Sequence, residues 1–162
     1  MKQLKFLVNQ FRAAMASLTP YDFEGTSLSA SKFPNGCCDD SSQLLAAYLS
    51  DNGYPYAKLM RGKDGGYNRE LGSHVWLYLD GTHIDITGDQ FNEYGYENPP
   101  VIIAEHSKFL STFEAQDNGI ADYRIHLKKY SSPKLESEFE YCYRTVLERL
   151  LRIGYTSIVG VK

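Results

Sequence analysis

The spacing of apolar residues predicts an amphipathic helix toward each end of the chain. Over residues 2–18, apolar side chains recur every three or four positions, as on one face of a helix, and Pro20 follows the pattern. Further on, Ser132-Pro133 is typical of a helix start, and we expect this helix to end at Gly154. The apolar positions of this last helix are Leu135, Phe139, Cys142, Val146 and Leu150.

The middle of the chain predicts one further helix and a series of short strands. The helix covers residues 38–51 and is followed by Asn52-Gly53, a common helix end. A glycine-rich loop is expected over residues 62–72. Strands are expected over residues 54–61, 74–79, 82–87, 101–103 and 123–129. Because these strands follow one another too closely for helical crossovers, we predict a single α+β domain over residues 1–162, with a mainly antiparallel sheet between terminal helices.

The clearest local signal is a hairpin over residues 74–87. Asp80-Gly81 suits a two-residue type I′ turn, and that turn fixes the register of the two strands. In this register one face is entirely apolar, whereas the other collects His74, Trp76 and Asp85. His74 and Asp85 are then diagonal neighbours whose side chains reach each other.

Composition argues against some classes of function but does not identify one. The 162 residues carry a formal net charge of -3 and 43% hydrophobic residues, which suits a globular protein and argues against a nucleic-acid binder. No segment is apolar over the length of a membrane span, so no membrane partner is expected. Three cysteines, two of them adjacent, do not form a disulfide framework, and a reduced, cytoplasmic setting is expected.

Three residues in chain order supply the groups that nucleophilic cysteine chemistry requires. Cys38 stands at a predicted helix start, His74 at the start of a strand, and Asp85 on the following strand. They would act as nucleophile, base and orienting group. The next two residues of the helix, Asp39 and Asp40, oppose a thiolate by their charge.

Two other interpretations apply to the same residues. Cys37 and Cys38 are also explained as small buried residues at a helix start. A metal site is conceivable from Cys37, Cys38, His74 and His83, but the spacing lacks the pattern of a zinc site. We therefore expect neither a metal nor a cofactor.

The motifs resemble those of the transglutaminase-like branch of the papain-like cysteine enzyme superfamily. The matching segments are Gly36-Cys37-Cys38, Gly53-Tyr54-Pro55, His74-Val75-Trp76 and Asp85-Ile86-Thr87. The resemblance spans residues 33–104 and is closest to small bacterial transglutaminase-like proteins. In that family the catalytic cysteine precedes the helix-ending glycine by about fifteen residues, which selects Cys38 over Cys37. This chain departs from the family at Val75 and Ile86, neither of which is a catalytic position.

The resemblance implies a papain-like core and a cysteine-dependent hydrolase or acyl transferase that acts on an amide bond of a peptide or protein. It assigns Cys38 as nucleophile, His74 as base and Asp85 as orienting residue. Gln90 is expected to assist the oxyanion and Trp76 to line the substrate site. Two alternatives stay open: a catalytically silent peptide-binding module on the same fold, and an acyltransferase that uses a small thioester donor. The resemblance is compatible with either water or an amine as the acceptor.

Overall fold

A computed structural model describes residues 1–159 of the protein, the last five as backbone only. Its strands are β1 Lys58–Lys63, β2 His74–Leu79, β3 Thr82–Asp85, β4 Ile102–Ala104 and β5 Glu114–Ile120. They form one antiparallel sheet in the order β4-β3-β2-β1-β5. The α-helices of the described residues are α1 Lys2–Ser17, α2 Cys38–Asp51, α3 Tyr123–His126 and α4 Pro133–Val159. Short 3₁₀ helices cover Pro20–Phe23, Ser27–Ser29, Gly88–Tyr94, Leu110–Thr112 and Leu127–Tyr130. The fold is therefore α+β, as predicted.

The helix α2 and the central hairpin match the predictions in detail. α2 begins at Cys38 and ends at Asp51. At the hairpin turn, φ is 47° at Asp80 and 80° at Gly81, as a type I′ turn requires. The strands pair in the predicted register, with Tyr78 opposite His83. The face assignment that brings His74 and Asp85 together is therefore confirmed.

β3 ends earlier than predicted because its last residue forms a local hydrogen bond. The strand was expected to run to residue 87, but it ends at Asp85. The Asp85 carboxylate accepts a hydrogen bond from the backbone N–H of Thr87 at 2.9 Å, and this contact turns the chain away from the sheet.

Three other predictions at the edges of the sheet and the last helix are wrong. The first strand begins at Lys58 rather than residue 54. Residues 123–129 are helical, because the Asp122 side chain accepts a hydrogen bond from the Arg124 backbone N–H at 3.0 Å and so caps α3. α4 continues through Gly154 to Val159.

One edge strand was not predicted at all. β5 pairs with β1 through a bulge, and most of its residues are exposed and polar. Such a strand carries almost no hydrophobic alternation, so its existence depends on the partner strand rather than on its own sequence.

The sheet separates two hydrophobic clusters. In the larger cluster, α2 packs on one face of the sheet, where Leu59, Val75 and Leu77 are buried, and α1 and α4 pack against α2 and against each other. The smaller, aromatic cluster surrounds Trp76 and is formed by Leu71, Phe91, Ile102, Phe109, Leu110 and Phe113. Within residues 1–159, no helix is long and apolar enough to cross a membrane.

The aromatic cluster packs directly on glycine backbone. A Cβ atom placed at Gly62 or Gly65 would overlap the Phe113 side chain, whereas one at Gly72 meets open space. The end of β1 and the loop that follows it therefore lie close to the cluster only because these two positions lack side chains.

We predict that Gly65→Ala lowers the free energy of unfolding by about 1–3 kcal/mol, the usual cost of overpacking. The matched variant Gly72→Ala, in the same loop and with free space around it, should change stability by less than about 1 kcal/mol. Urea unfolding followed by circular dichroism measures both. Equal stability of the two variants would contradict this packing.

Candidate active site

Cys38 is the first helical residue of α2, and it differs from the other two cysteines in its exposure. Cys37 and Cys142 are buried, at 6% and 4% exposed, whereas Cys38 is partly exposed. Burial raises the pKa of Cys37 to about 12 and that of Cys142 to about 11. Both of these thiols are therefore protonated at neutral pH, and neither is suited to act as a nucleophile.

His74 and Asp85 form a buried hydrogen-bonded pair. His74 Nε2 lies 2.7 Å from Asp85 Oδ2, and the two side chains are 0% and 1% exposed. The other carboxylate oxygen of Asp85 accepts hydrogen bonds from the Thr87 N–H at 2.9 Å and the Thr87 hydroxyl at 3.3 Å. A Cβ atom at Gly88 would lie 2.8 Å from Asp85 Oδ2, so a glycine there leaves the pair undisturbed.

This pairing sets the charge of His74. Burial alone lowers the pKa of the imidazole, but the charge and hydrogen bond of Asp85 outweigh it, with smaller contributions from Cys38. The net effect raises the His74 pKa to about 9. His74 is therefore an imidazolium at neutral pH.

The second imidazole nitrogen, Nδ1, is the one that the hydrogen bond to Asp85 leaves unpaired. It is buried and has no hydrogen-bond partner among the described residues. The Cys38 thiol lies close enough to raise the His74 pKa, although it is not aligned as a hydrogen-bond partner of Nδ1. Because Asp85 occupies Nε2, Nδ1 is the nitrogen left for the thiol. The structure thus brings together the three residues that the sequence analysis selected.

Aromatic rings enclose His74. The ring centroids of Phe91, Phe113 and Trp76 lie 5.1, 5.5 and 5.7 Å from that of the imidazole, and Phe109 follows at 6.3 Å. Water is therefore excluded from His74. Of Cys38, His74 and Asp85, Cys38 is the residue that solvent reaches.

Trp76 is buried against the His74 ring. Its side chain is 1% exposed, its indole stacks on the imidazole, and its Nε1 donates a hydrogen bond to His83 Nδ1 at 3.0 Å. The structure therefore gives Trp76 a role in holding the His74 ring. His83, which accepts this bond, is half-buried.

Gln90 lies beside the loop that carries the cysteines. Its Oε1 accepts a hydrogen bond from the Gly36 N–H at 3.4 Å, and its Nε2 donates to the Thr87 carbonyl at 2.9 Å. The side chain thus connects the loop before α2 to the segment after Asp85. One N–H of its amide group remains for a further acceptor.

Sequence reasoning missed a cation next to Cys38. Asp39 accepts hydrogen bonds from Arg61 Nη2 at 2.6 Å and from Gln43 Nε2 at 2.8 Å. Arg61 lies on β1, 22 residues away in sequence, so no local motif indicates the pair. The repulsion expected from Asp39 is therefore offset by Arg61.

The other acid of this turn, Asp40, is also paired. It accepts a hydrogen bond from the Ser27 hydroxyl, and burial raises its pKa against the effect of that bond. Within the described part of the chain, no group of three or more His, Cys, Asp or Glu side chains is placed to hold a metal ion.

We predict that stability falls as the pH rises through the window set by His74. The imidazole pKa is about 6.5 in an unfolded chain and about 9 in the folded protein, so folding retains a proton in this range. The resulting stabilisation is fully present below pH 6.5 and is lost as the pH rises through 9. Urea unfolding from pH 6 to 9.5 should show this loss in the wild type and a flatter profile in Asp85→Asn. Parallel profiles would contradict the raised pKa.

Comparison with known proteins places the chain in no family. It matches no protein-family model, no curated protein and no solved structure.

Proposed function

We propose that the protein is a cysteine-dependent hydrolase or acyl transferase that acts on an amide bond of a peptide or protein, on a papain-like, transglutaminase-like core. One observation carries this proposal: the buried His74 imidazole is hydrogen-bonded to Asp85 through Nε2 and leaves Nδ1 for the partly exposed Cys38. Replacing a buried ion pair by well-packed apolar residues is often neutral or stabilising, so such a pair beside a nucleophile is better explained by chemistry than by folding.

In the first half of the reaction, the Cys38 thiolate attacks the amide carbonyl carbon and forms a C–S bond. The carbonyl oxygen becomes an oxyanion, for which the Cys38 backbone N–H is a donor, because the first N–H groups of α2 lack helical partners. The C–N bond then breaks. The leaving amine takes the proton from His74 Nδ1, while Asp85 keeps the imidazole in place.

In the second half, water or an amine attacks the thioester carbon. Neutral His74 accepts the proton of the attacking group at Nδ1 and becomes an imidazolium again. The C–S bond breaks, which releases an acid or a new amide and restores the Cys38 thiolate. Gln90 is the proposed side-chain donor to the oxyanion, since it lies against Gly36 at the start of the cysteine loop.

A second function, a catalytically silent peptide-binding module, is favoured by one observation. His74 is 0% exposed, so a leaving group reaches Nδ1 only past Cys38 or after the aromatic rings move. The two functions differ in whether Cys38 becomes acylated.

We predict that p-nitrophenyl acetate transfers one acetyl group to Cys38. The thiolate attacks the ester carbonyl and p-nitrophenolate leaves, which gives an initial burst of colour and a thioester that peptide mass spectrometry places on Cys38. Hydroxylamine should release the acetyl group as the hydroxamate. Asp85→Asn should lower the acylation rate by about 10²- to 10⁴-fold, since it removes the charge that supports the imidazolium.

The variants Cys38→Ser and Cys142→Ser are the matched controls. Loss of acylation in Cys38→Ser and its retention in Cys142→Ser are expected. A folded wild type that takes up no acetyl group on Cys38 would favour the binding module instead.

A further inference from the structure

Cys38 lies in the first turn of α2, where the negative charges of two neighbouring aspartates disfavour a thiolate. Asp39 and Asp40 are the next two residues of α2, and an anion at either position opposes a negative charge on the neighbouring sulfur. Asp40 already has a partner, because its carboxylate accepts a hydrogen bond from the Ser27 hydroxyl. Asp39 is the acid whose charge needs a partner.

Arg61 supplies that partner from the sheet. It lies in the middle of β1, between β2 and β5, opposite Val75 on one side and Gln116 on the other. From there its Nη2 reaches Asp39 Oδ2 at 2.6 Å. Gln43, one turn further along α2, holds the other oxygen of Asp39, so the carboxylate has a fixed position.

The guanidinium also acts on Cys38 directly. The hydrogen bond to Asp39 is the main cause that raises the Arg61 pKa, and the neighbouring Cys38 adds to the rise. The guanidinium is therefore close enough to interact with the sulfur by charge. Both partners of the ion pair are between one third and one half exposed, so their effect on the sulfur is open to screening by salt.

Several elements bring titratable groups close to Cys38 and its partners. They are Cys37 at the N-cap of α2, Asp39 and Asp40 on α2, Arg61 on β1, His74 on β2, Asp85 on β3, Arg12 on α1, His126 on α3, Tyr130 after it and Glu138 on α4. Arg12 is paired with Asp89 at 2.5 Å, and burial lowers the pKa of His126. Among the described residues, His74 and Arg61 are the cations whose charge interactions include Cys38 itself.

We propose that Arg61 is a positioning residue for Cys38: it neutralises Asp39 and adds a positive charge beside the sulfur, and so maintains the thiolate. This inference rests on the proposed function, in which Cys38 reacts as a thiolate supported by His74. It adds a second, independent source of support that comes from the sheet.

The test is the rate at which iodoacetamide alkylates Cys38, mapped by mass spectrometry, between pH 5.5 and 8.5. At pH 6 and low salt, Arg61→Gln should slow alkylation by about three- to tenfold. The difference should shrink in about 0.5 M salt, because the pair is accessible to ions. Arg61→Lys should restore most of the rate, since it returns the charge.

Two matched variants separate charge from structure. Lys63→Gln removes a cation from the same strand, two residues away, whose partner is Glu114 rather than Asp39, and it should leave the rate unchanged. Asp39→Asn should raise the rate, the opposite of Arg61→Gln. Slower alkylation in both Asp39→Asn and Arg61→Gln would indicate a structural role and overturn the inference.

His74→Ala distinguishes this inference from the proposed function. If His74→Ala slows alkylation at pH 6 and Arg61→Gln does not, the proposed function stands and the role of Arg61 is rejected. If His74→Ala leaves the rate unchanged, there is no Cys–His ion pair and the proposed function itself fails, whatever Arg61→Gln does.

Discussion

The buried hydrogen bond between His74 and Asp85 is the interaction on which the rest of the site depends. It joins the start of β2 to the end of β3, at a point where both side chains are out of contact with water. An isolated charge there would cost several kcal/mol, so each partner is tolerable only because the other is present. The remaining lone pairs of Asp85 are met by Thr87, which also ends the strand. One carboxylate therefore sets the charge of the imidazole and the path of the chain.

The aromatic enclosure follows from the same constraint. A charge pair in a dry site needs surroundings that keep competing water away, and four rings supply them around His74. Phe113 reaches this position only because Gly62 and Gly65 leave room for it. Cys38 stays partly exposed at the helix start, so the proposed nucleophile faces solvent while the proposed base, His74, does not. This division suits a thiol that receives substrates from outside and a histidine whose proton is protected.

The part of this arrangement that depends on local sequence was predictable, and the part that depends on long-range pairing was not. Asp80-Gly81 specifies a two-residue turn, and that turn alone placed His74 and Asp85 on one face. The choice of Cys38 over Cys37 came from the spacing typical of the family that the chain resembles, and α2 does begin at Cys38.

By contrast, β5 is polar and exposed and became a strand only through pairing with β1. Arg61 meets Asp39 across 22 residues, and neither residue belongs to a recognisable motif. The enclosure by Phe109 and Phe113 depends in the same way on the connection between β4 and β5, whose path the sequence does not indicate.

The protonation state of His74 tests the central claim most directly. Heteronuclear NMR of the ¹⁵N-labelled protein at pH 7.5 detects both imidazole nitrogens and distinguishes the charged ring from either neutral form. The account predicts an imidazolium, with Nε2–H donated to Asp85 and Nδ1 also protonated, which loses its proton only near pH 9. A neutral ring at pH 7.5, protonated on one nitrogen alone, would contradict it.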